Sequence, residues 1–218
     1  DQAYGPINGT DEMRQAAAIF GVTDVRFLNF PDKPFLIERY PEAIDTITEL
    51  ILEVRPHVMI TENPFTSGDT GRADAHRNDH TEVGIATLEA KDRAARPRGG
   101  SVVAPHNVAT TFWAAHDKND LDFAIELTDE WFEKRVQAEL LYETQGHNEA
   151  WARRRMELEV GHMGWRMRTE YAEGFAREKN ELLTHLPVPE RMIEMFEQGA
   201  GAFIDRVSGK ARAEAQRS

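Results

Sequence analysis

The chain has 218 residues, a hydrophobic fraction of 40%, no cysteine and a formal net charge of −12. This composition suits one folded domain with a sizeable core and excludes wholesale disorder, disulfides and thiolate metal sites. The acidic balance disfavours nucleic acid as a partner, because like charges repel. No apolar run approaches the ~20 residues of a membrane helix. We therefore expect a cytoplasmic protein with no membrane partner.

Predicted helices and strands alternate through the first 100 residues. Helices are predicted over 11–20, 41–54 and from Asp79 to about Arg96, and strands over 22–30 and 57–61. The helix over 41–54 rests on apolar residues spaced by three and four, such as Ile44, Ile47 and Ile51. Alternation of this kind favours a parallel sheet with helices packed on its faces.

The second half of the chain turns from strands to helices. Further strands are predicted over 101–105, 109–114 and 122–127, and helices over 128–144, 149–160, 170–183 and 192–207. We expect one α/β domain over 1–218, with a sheet-forming part (1–127), a helical part (128–208) and a frayed tail (209–218). The late helices carry more apolar surface than one sheet flank needs, so we also expect a homo-oligomer.

Residues 61–90 gather metal-binding side chains beside a predicted strand end. The strand ends at Thr61, and His76, Asp79 and His80 follow. Ligands of open α/β sheets bind beyond the carboxyl ends of the strands. Imidazole and carboxylate are zinc ligands, and a bound ion activates water at neutral pH while a nearby Asp or His moves the proton. The alternative is a capped helix start with solvated histidines.

The position of the helix start decides how the two histidines are used. His76 and His80 are four residues apart, so on one helix they would share a face. Gly68, Gly71 and several acidic residues disfavour helix before Asp79. We therefore expect the helix to begin at Asp79, with His80 just inside it and His76 on the preceding loop.

Segments 12–22, 25–32, 55–61 with 76–80, and 134–145 with 170–175 occur in an order typical of one family. Over about residues 11–180 the chain resembles the LmbE-like, or PIG-L, family of zinc-dependent N-acetylglucosaminyl deacetylases. The resemblance implies a Rossmann-like three-layer parallel sheet with helices on both faces and extra C-terminal helices. It also implies Zn²⁺ as cofactor, or another divalent metal, and a small-molecule substrate.

The resemblance also implies roles for the clustered residues. His80 would be a zinc ligand, Asp79 an acidic partner that orients a neighbouring group, and His76 the residue that polarises the substrate carbonyl or stabilises the oxyanion. Two residues, Arg77 and Asn78, separate His76 from Asp79 where the family usually has one. This departure bears on His76 more than on His80.

The main sequence signature of the family, His-Pro-Asp-Asp-Glu after the first strand, does not occur in this sequence. We expect that an N-terminal segment with the first strand and the remaining ligands precedes residue 1. A sheet without its central strand would expose long unpaired edges. The alternative is a degenerate, metal-free member of the family.

Three functions are therefore considered. The first is a metal-dependent hydrolase that deacylates an N-acyl amino sugar or a similar small molecule. The second is a hydratase (lyase) acting on an unsaturated di- or tricarboxylic acid, because residues 129–134, Gln145 and 171–175 resemble the 4-oxalomesaconate hydratase branch. Arg72 and Arg77 would then bind substrate carboxylates. The third is a non-catalytic binding or assembly subunit.

Overall fold

A computed structural model describes residues 8–30, 36–65, 79–100, 102–114 and 121–208. Within those ranges the helices are α1 (Asn8–Ile19), α2 (Leu36–Arg39), α3 (Glu42–Val54), α4 (Asp79–Ala94), α5 (Asp129–Leu140), α6 (Glu149–Met167) and α7 (Glu190–Val207). The strands are β1 (Val58–Thr61), β2 (Thr110–Ala114), β3 (Phe123–Leu127) and β4 (Tyr171–Arg177). The predicted mixed α/β class is confirmed.

The four strands form one sheet in the order β1-β2-β4-β3. β1 and β2 are parallel, with Val58 opposite Thr110, which confirms the predicted parallel pairing for these two strands. β4 runs antiparallel to β2, with Phe112 opposite Arg177. The sheet is therefore mixed, so the predicted parallel arrangement holds for β1 with β2 and not for β4 with β2.

The strand predicted over 22–30 is not formed. Its backbone is used by a side chain instead, since Nη1 of Arg14 donates to the carbonyl oxygen of Val25 at 3.2 Å. The Arg14 guanidinium also lies 4.8 Å from the ring centre of Phe27. Asn29 has a φ of 57°, which interrupts an extended conformation. Apolar content alone does not make a strand when no neighbouring strand pairs with it.

The strand predicted over 101–105 is also wrong for its described residues, 102–105. Arg55 occupies two carbonyl groups of this segment, donating from Nη1 to the oxygen of Ala104 at 3.1 Å and from Nη2 to that of Pro105 at 3.2 Å. Proline has no N–H to donate to a strand ladder. The segment is thus a bridged loop that leads into β2.

Residues 171–177, predicted as part of a helix over 170–183, form β4. Alanine and glutamate favour a helix, but burial along this segment alternates, as a strand requires. Tyr171, Ala172 and Ala176 are buried. The antiparallel pairing with β2 decides the outcome, because tertiary context overrides local propensity.

The other predicted elements are confirmed with shifted ends. α5 stops at Leu140, whereas α6 continues to Met167 before Arg168 adopts the left-handed conformation. Thr128 caps α5, because its Oγ1 accepts a hydrogen bond from the backbone N–H of Trp131. α7 is kinked at Gly199, whose φ is 73°. No helix among the described residues is both long enough and apolar enough to cross a membrane.

The described residues form two compact units, each with its own core. One unit contains 8–27, 124–173 and 182–208, and the other contains the described parts of 28–123 together with 174–181. The core of the first includes Phe132, Val136, Met156, Val160 and Tyr171. The core of the second includes Ile44, Ile51, Leu52, Ala86, Ala90 and Ala94, which join α3 to α4. Asp79 and His80 belong to the second unit.

Candidate functional site

The first turns of α4 lie against the backbone that follows β1. Gly84 makes this approach possible, because a Cβ at this position would lie 2.7 Å from the carbonyl oxygen of Glu62 and 3.0 Å from the nitrogen of Pro64. The structure describes helix α4 from Asp79, the residue at which the sequence predicts that the helix begins. The close contact therefore places the first turn of α4 beside the chain that leaves the carboxyl end of β1.

Two carboxylates flank the His80 imidazole at this helix start. Nδ1 of His80 lies 3.4 Å from Oε1 of Glu62, and Nε2 lies 3.8 Å from Oδ2 of Asp79. The three side chains are 41–46% exposed, so all of them can reach a ligand in solvent. The positive end of the α4 dipole favours carboxylates at this place. The site therefore combines an accessible imidazole with two acceptors for its N–H groups.

Two buried polar side chains next to this cluster hold the neighbouring backbone in place. Glu82 is fully buried, and its Oε2 accepts a hydrogen bond from the backbone N–H of Ile37 at 3.2 Å, which ties α2 to α4. Asn63 is 6% exposed, and its Oδ1 accepts from the N–H of Phe65 at 2.9 Å, so the turn after Glu62 is fixed. The sequence offered only weak signals for Glu82 and Glu62, because acidic residues near a helix start are usually solvated.

The donor types fit a zinc ion, since imidazole nitrogen and carboxylate oxygen are its usual non-thiolate ligands. Within the part of the chain that the structure describes, however, no three such side chains are arranged to hold one ion. The predicted residues His76, Arg72 and Arg77 lie outside the described residues. Of the predicted site residues, the structure thus brings together His80 and Asp79, and it adds Glu62.

A separate cleft of about 500 Å³ lies at the opposite end of α4, beside the start of β2 and the end of β4. Its lining includes Lys91, which is 6% exposed and forms an ion pair with Glu178. Burial by itself raises the pKa of Glu178, but the hydrogen bond and charge of Lys91 outweigh it and hold the pKa below its ordinary value. Lys91 and Glu178 are thus paired with each other in this cleft.

Comparison with known proteins gives one family and several relatives. Residues 4–91 match the family model PIG-L, GlcNAc-PI de-N-acetylase. The chain is 33% identical over 129 residues to 1D-myo-inositol 2-acetamido-2-deoxy-alpha-D-glucopyranoside deacetylase of Streptomyces griseus, covering 52% of this chain and 37% of the relative. It is 31% identical over 93 residues to the enzyme of that name from Rhodococcus erythropolis, covering 43% and 29%. The chain thus spans about a third of the length of these relatives.

Solved structures show the same fold at low sequence identity. The conserved protein TT1542 from Thermus thermophilus has a TM-score of 0.67 at 20% identity, covering 84% of this chain and 78% of that one. GalB, the 4-carboxy-2-hydroxymuconate hydratase of Pseudomonas putida, has 0.63 at 15%, covering 83% and 75%. N,N'-diacetylchitobiose deacetylase from Pyrococcus horikoshii has 0.63 at 18%, covering 78% and 62%. The resemblance to the LmbE-like, or PIG-L, family that the sequence motifs indicate is therefore confirmed.

Proposed function

We propose that this chain carries part of the active site of a metal-dependent hydrolase that deacylates an N-acyl amino sugar or a similar small molecule. The observation that carries the proposal is the accessible His80 imidazole between two carboxylates, at the carboxyl end of β1 and the start of α4. Support comes from the PIG-L family match and from curated relatives that are named as deacetylases of an acetamido sugar. We propose zinc as the metal.

Each predicted residue has a distinct role in this proposal. His80 holds the ion through one imidazole nitrogen, and Asp79 orients a neighbouring group from the adjacent position. When bound, the ion lowers the pKa of its water and so supplies a nucleophile at neutral pH. His76 donates a hydrogen bond to the carbonyl oxygen of the substrate as negative charge develops there. The remaining ligands and the general base are expected from outside the described residues.

The proposed reaction is the hydrolysis of an amide. The oxygen of water adds to the carbonyl carbon, the carbon–nitrogen bond breaks, and the nitrogen leaves with a proton as a free amine. The products are a carboxylate and the deacylated amino sugar, and the second proton of the water passes to the amine or to solvent. The chain must therefore bind a neutral substrate, hold its carbonyl towards the activated water and return one proton to the nitrogen.

The second candidate is a hydratase acting on an unsaturated carboxylic acid. This chain shares its fold with a hydratase, GalB. Such a substrate carries two or more carboxylates. Glu62 and Asp79 place negative charge on both sides of His80, and like charges at this distance repel. This electrostatic environment favours the neutral amide of an acetylated sugar over a di- or tricarboxylate.

Metal analysis and product analysis of the purified full-length protein test the proposal. We expect stoichiometric zinc and release of acetate from N-acetylglucosamine derivatives. His80→Ala should lose both the zinc and the acetate release, whereas His185→Ala, which removes an exposed histidine, should keep both.

The other outcomes separate the alternatives. Zinc retained by His80→Ala would exclude His80 as a ligand. Loss of enoate absorbance from an unsaturated tricarboxylate, without acetate release from acetylated sugars, would favour the hydratase. Wild-type protein without zinc above trace would favour a non-catalytic subunit.

A further inference from the structure

We propose that Glu62 is a positioning residue that fixes the orientation and the tautomer of the His80 imidazole. The proposal rests on the proposed function, because it assigns the way in which the chain prepares His80 for a metal ion. Glu62 itself would not bind the ion or touch the substrate. Its carboxylate would accept the Nδ1 proton, so that the lone pair of Nε2 is left for the ion.

The two nitrogens of His80 have different surroundings. Nδ1 faces Oε1 of Glu62 at 3.4 Å. This distance is slightly longer than that of a usual N–H···O hydrogen bond. Nε2 faces the Asp79 side, 3.8 Å from Oδ2. Asp79 thus lies on the side where the ion would bind, and Glu62 lies on the opposite edge of the ring. The geometry therefore gives these two acidic residues separate roles.

The backbone of Glu62 is held firmly enough to serve this purpose. The missing side chain of Gly84 lets α4 approach the carbonyl oxygen of Glu62, where even a Cβ would be only 2.7 Å away. On the other side, the buried Asn63 fixes the next turn by accepting from the N–H of Phe65. Both contacts restrict the backbone position from which the Glu62 side chain extends towards Nδ1 of His80.

A carboxylate that accepts the proton of the non-ligating nitrogen changes how strongly an imidazole binds a metal. A ligating histidine binds through one deprotonated nitrogen and usually donates the proton on the other nitrogen to a carboxylate or a carbonyl. That partner sets the tautomer, limits ring rotation and increases the electron density on the ligating nitrogen. Loss of such a partner typically weakens metal binding by about 10–100-fold.

The experiment compares wild type with Glu62→Ala, Glu62→Gln and Glu89→Ala in the full-length protein. Glu89→Ala is the matched control, because it removes another half-exposed carboxylate from the same unit, one that pairs with Arg93 further along α4. The tautomer of His80 is measured by ¹⁵N NMR of histidine-labelled, metal-free protein, with its resonance assigned by its loss in His80→Ala. Zinc affinity is measured by competition with a chelator.

We expect Glu62→Ala to lower the Nδ1–H fraction of His80 and to weaken zinc binding by about 10–100-fold. Glu62→Gln should keep most of the Nδ1–H tautomer, because its amide oxygen still accepts the proton. Glu89→Ala should match wild type in both measurements. Rescue by glutamine separates a positioning role from a loss of negative charge.

An unchanged tautomer and unchanged zinc affinity in Glu62→Ala would overturn this inference and leave the proposed function in place. An equal weakening in Glu89→Ala would also overturn it, because general electrostatics would then explain the effect. Wild-type protein that binds no zinc would overturn the proposed function, and the tautomer comparison in metal-free protein would still decide the role of Glu62.

Discussion

The two ends of helix α4 carry ionisable side chains in opposite circumstances. At its start, His80, Asp79 and Glu62 are each 41–46% exposed. Near its end, the side chains of Lys91 and Glu178 are only 8% and 19% exposed and pair with each other. The His80 cluster at the start of α4 is thus accessible, whereas the pair of Lys91 and Glu178 near its end is largely enclosed.

This difference shows how to separate functional from structural charges in the unit. Enclosed ions need a partner, because the cost of leaving one unpaired in a low-dielectric environment is large. Exposed ions contribute little to stability, so a cluster of them at a strand end can be substituted at a small cost to folding. We therefore expect substitutions of Lys91 or Glu178 to affect folding, and substitutions of Asp79, His80 or Glu62 to affect binding.

The largest effect on stability is expected for Lys91→Met. Methionine has a similar size but no charge, so Glu178 loses its partner. We expect the free energy of unfolding to fall by about 3 kcal/mol, measured by urea denaturation. The control, Lys134→Met, breaks an exposed pair with Glu130 and a contact with Trp131, and should cost less than about 1 kcal/mol. Equal costs would contradict the distinction between enclosed and exposed ion pairs.

A smaller loss is expected for Gly84→Ala, which tests the packing that supports the start of α4. The added methyl group would press against the carbonyl oxygen of Glu62, so the helix or the loop must shift. We expect a loss of about 1–3 kcal/mol on thermal unfolding. Gly161→Ala, in α6, meets only the Tyr171 ring at 4.0 Å and should be neutral or stabilising by up to about 1 kcal/mol. A neutral Gly84→Ala would mean that the contact is not tight.

The smallest expected effect is a change in the pH dependence of stability on Glu178→Gln. Because the folded-state pKa of Glu178 lies below its ordinary value, its contribution is present above the unfolded pKa of about 4.3 and is lost as pH falls through the folded value. Wild type should therefore lose more stability than Glu178→Gln between about pH 5 and pH 3, in urea titrations at each pH. Glu143→Gln, which removes an exposed carboxylate, is the control. Parallel curves for wild type and Glu178→Gln would contradict this assignment.

The sequence predicts those elements whose own residues decide their structure. The helix predicted from Asp79 is present over Asp79–Ala94, where helix-forming residues such as Ala86, Leu88 and Ala90 recur. Strand β4 was missed because its Ala and Glu residues favour a helix, and only pairing with a distant strand overrides that preference. The strand predicted over 22–30 fails for the converse reason, since Arg14 takes the carbonyl of Val25.

The same limit applies to the candidate site. His80 and Asp79 are recognisable because two such residues at a strand end suggest metal chemistry. Glu62 lies 17 positions before Asp79 in the sequence, so its approach to Nδ1 depends on the packing at Gly84. Glu82 is an acidic residue in a first turn, and nothing local indicates that it is fully buried. Contacts between distant segments supply what the motif alone does not.

The long sequence separation between paired strands has a consequence for the order of folding. Residues close in sequence form the α5–α6 pair, whereas the sheet joins Phe112 to Arg177 and Val58 to Thr110. Closing such long loops costs chain entropy before any strand contact compensates for it. Helix pairing therefore has an entropic advantage over sheet assembly. β2 becomes paired on both sides only after segments as far apart as residues 58 and 177 have been brought together.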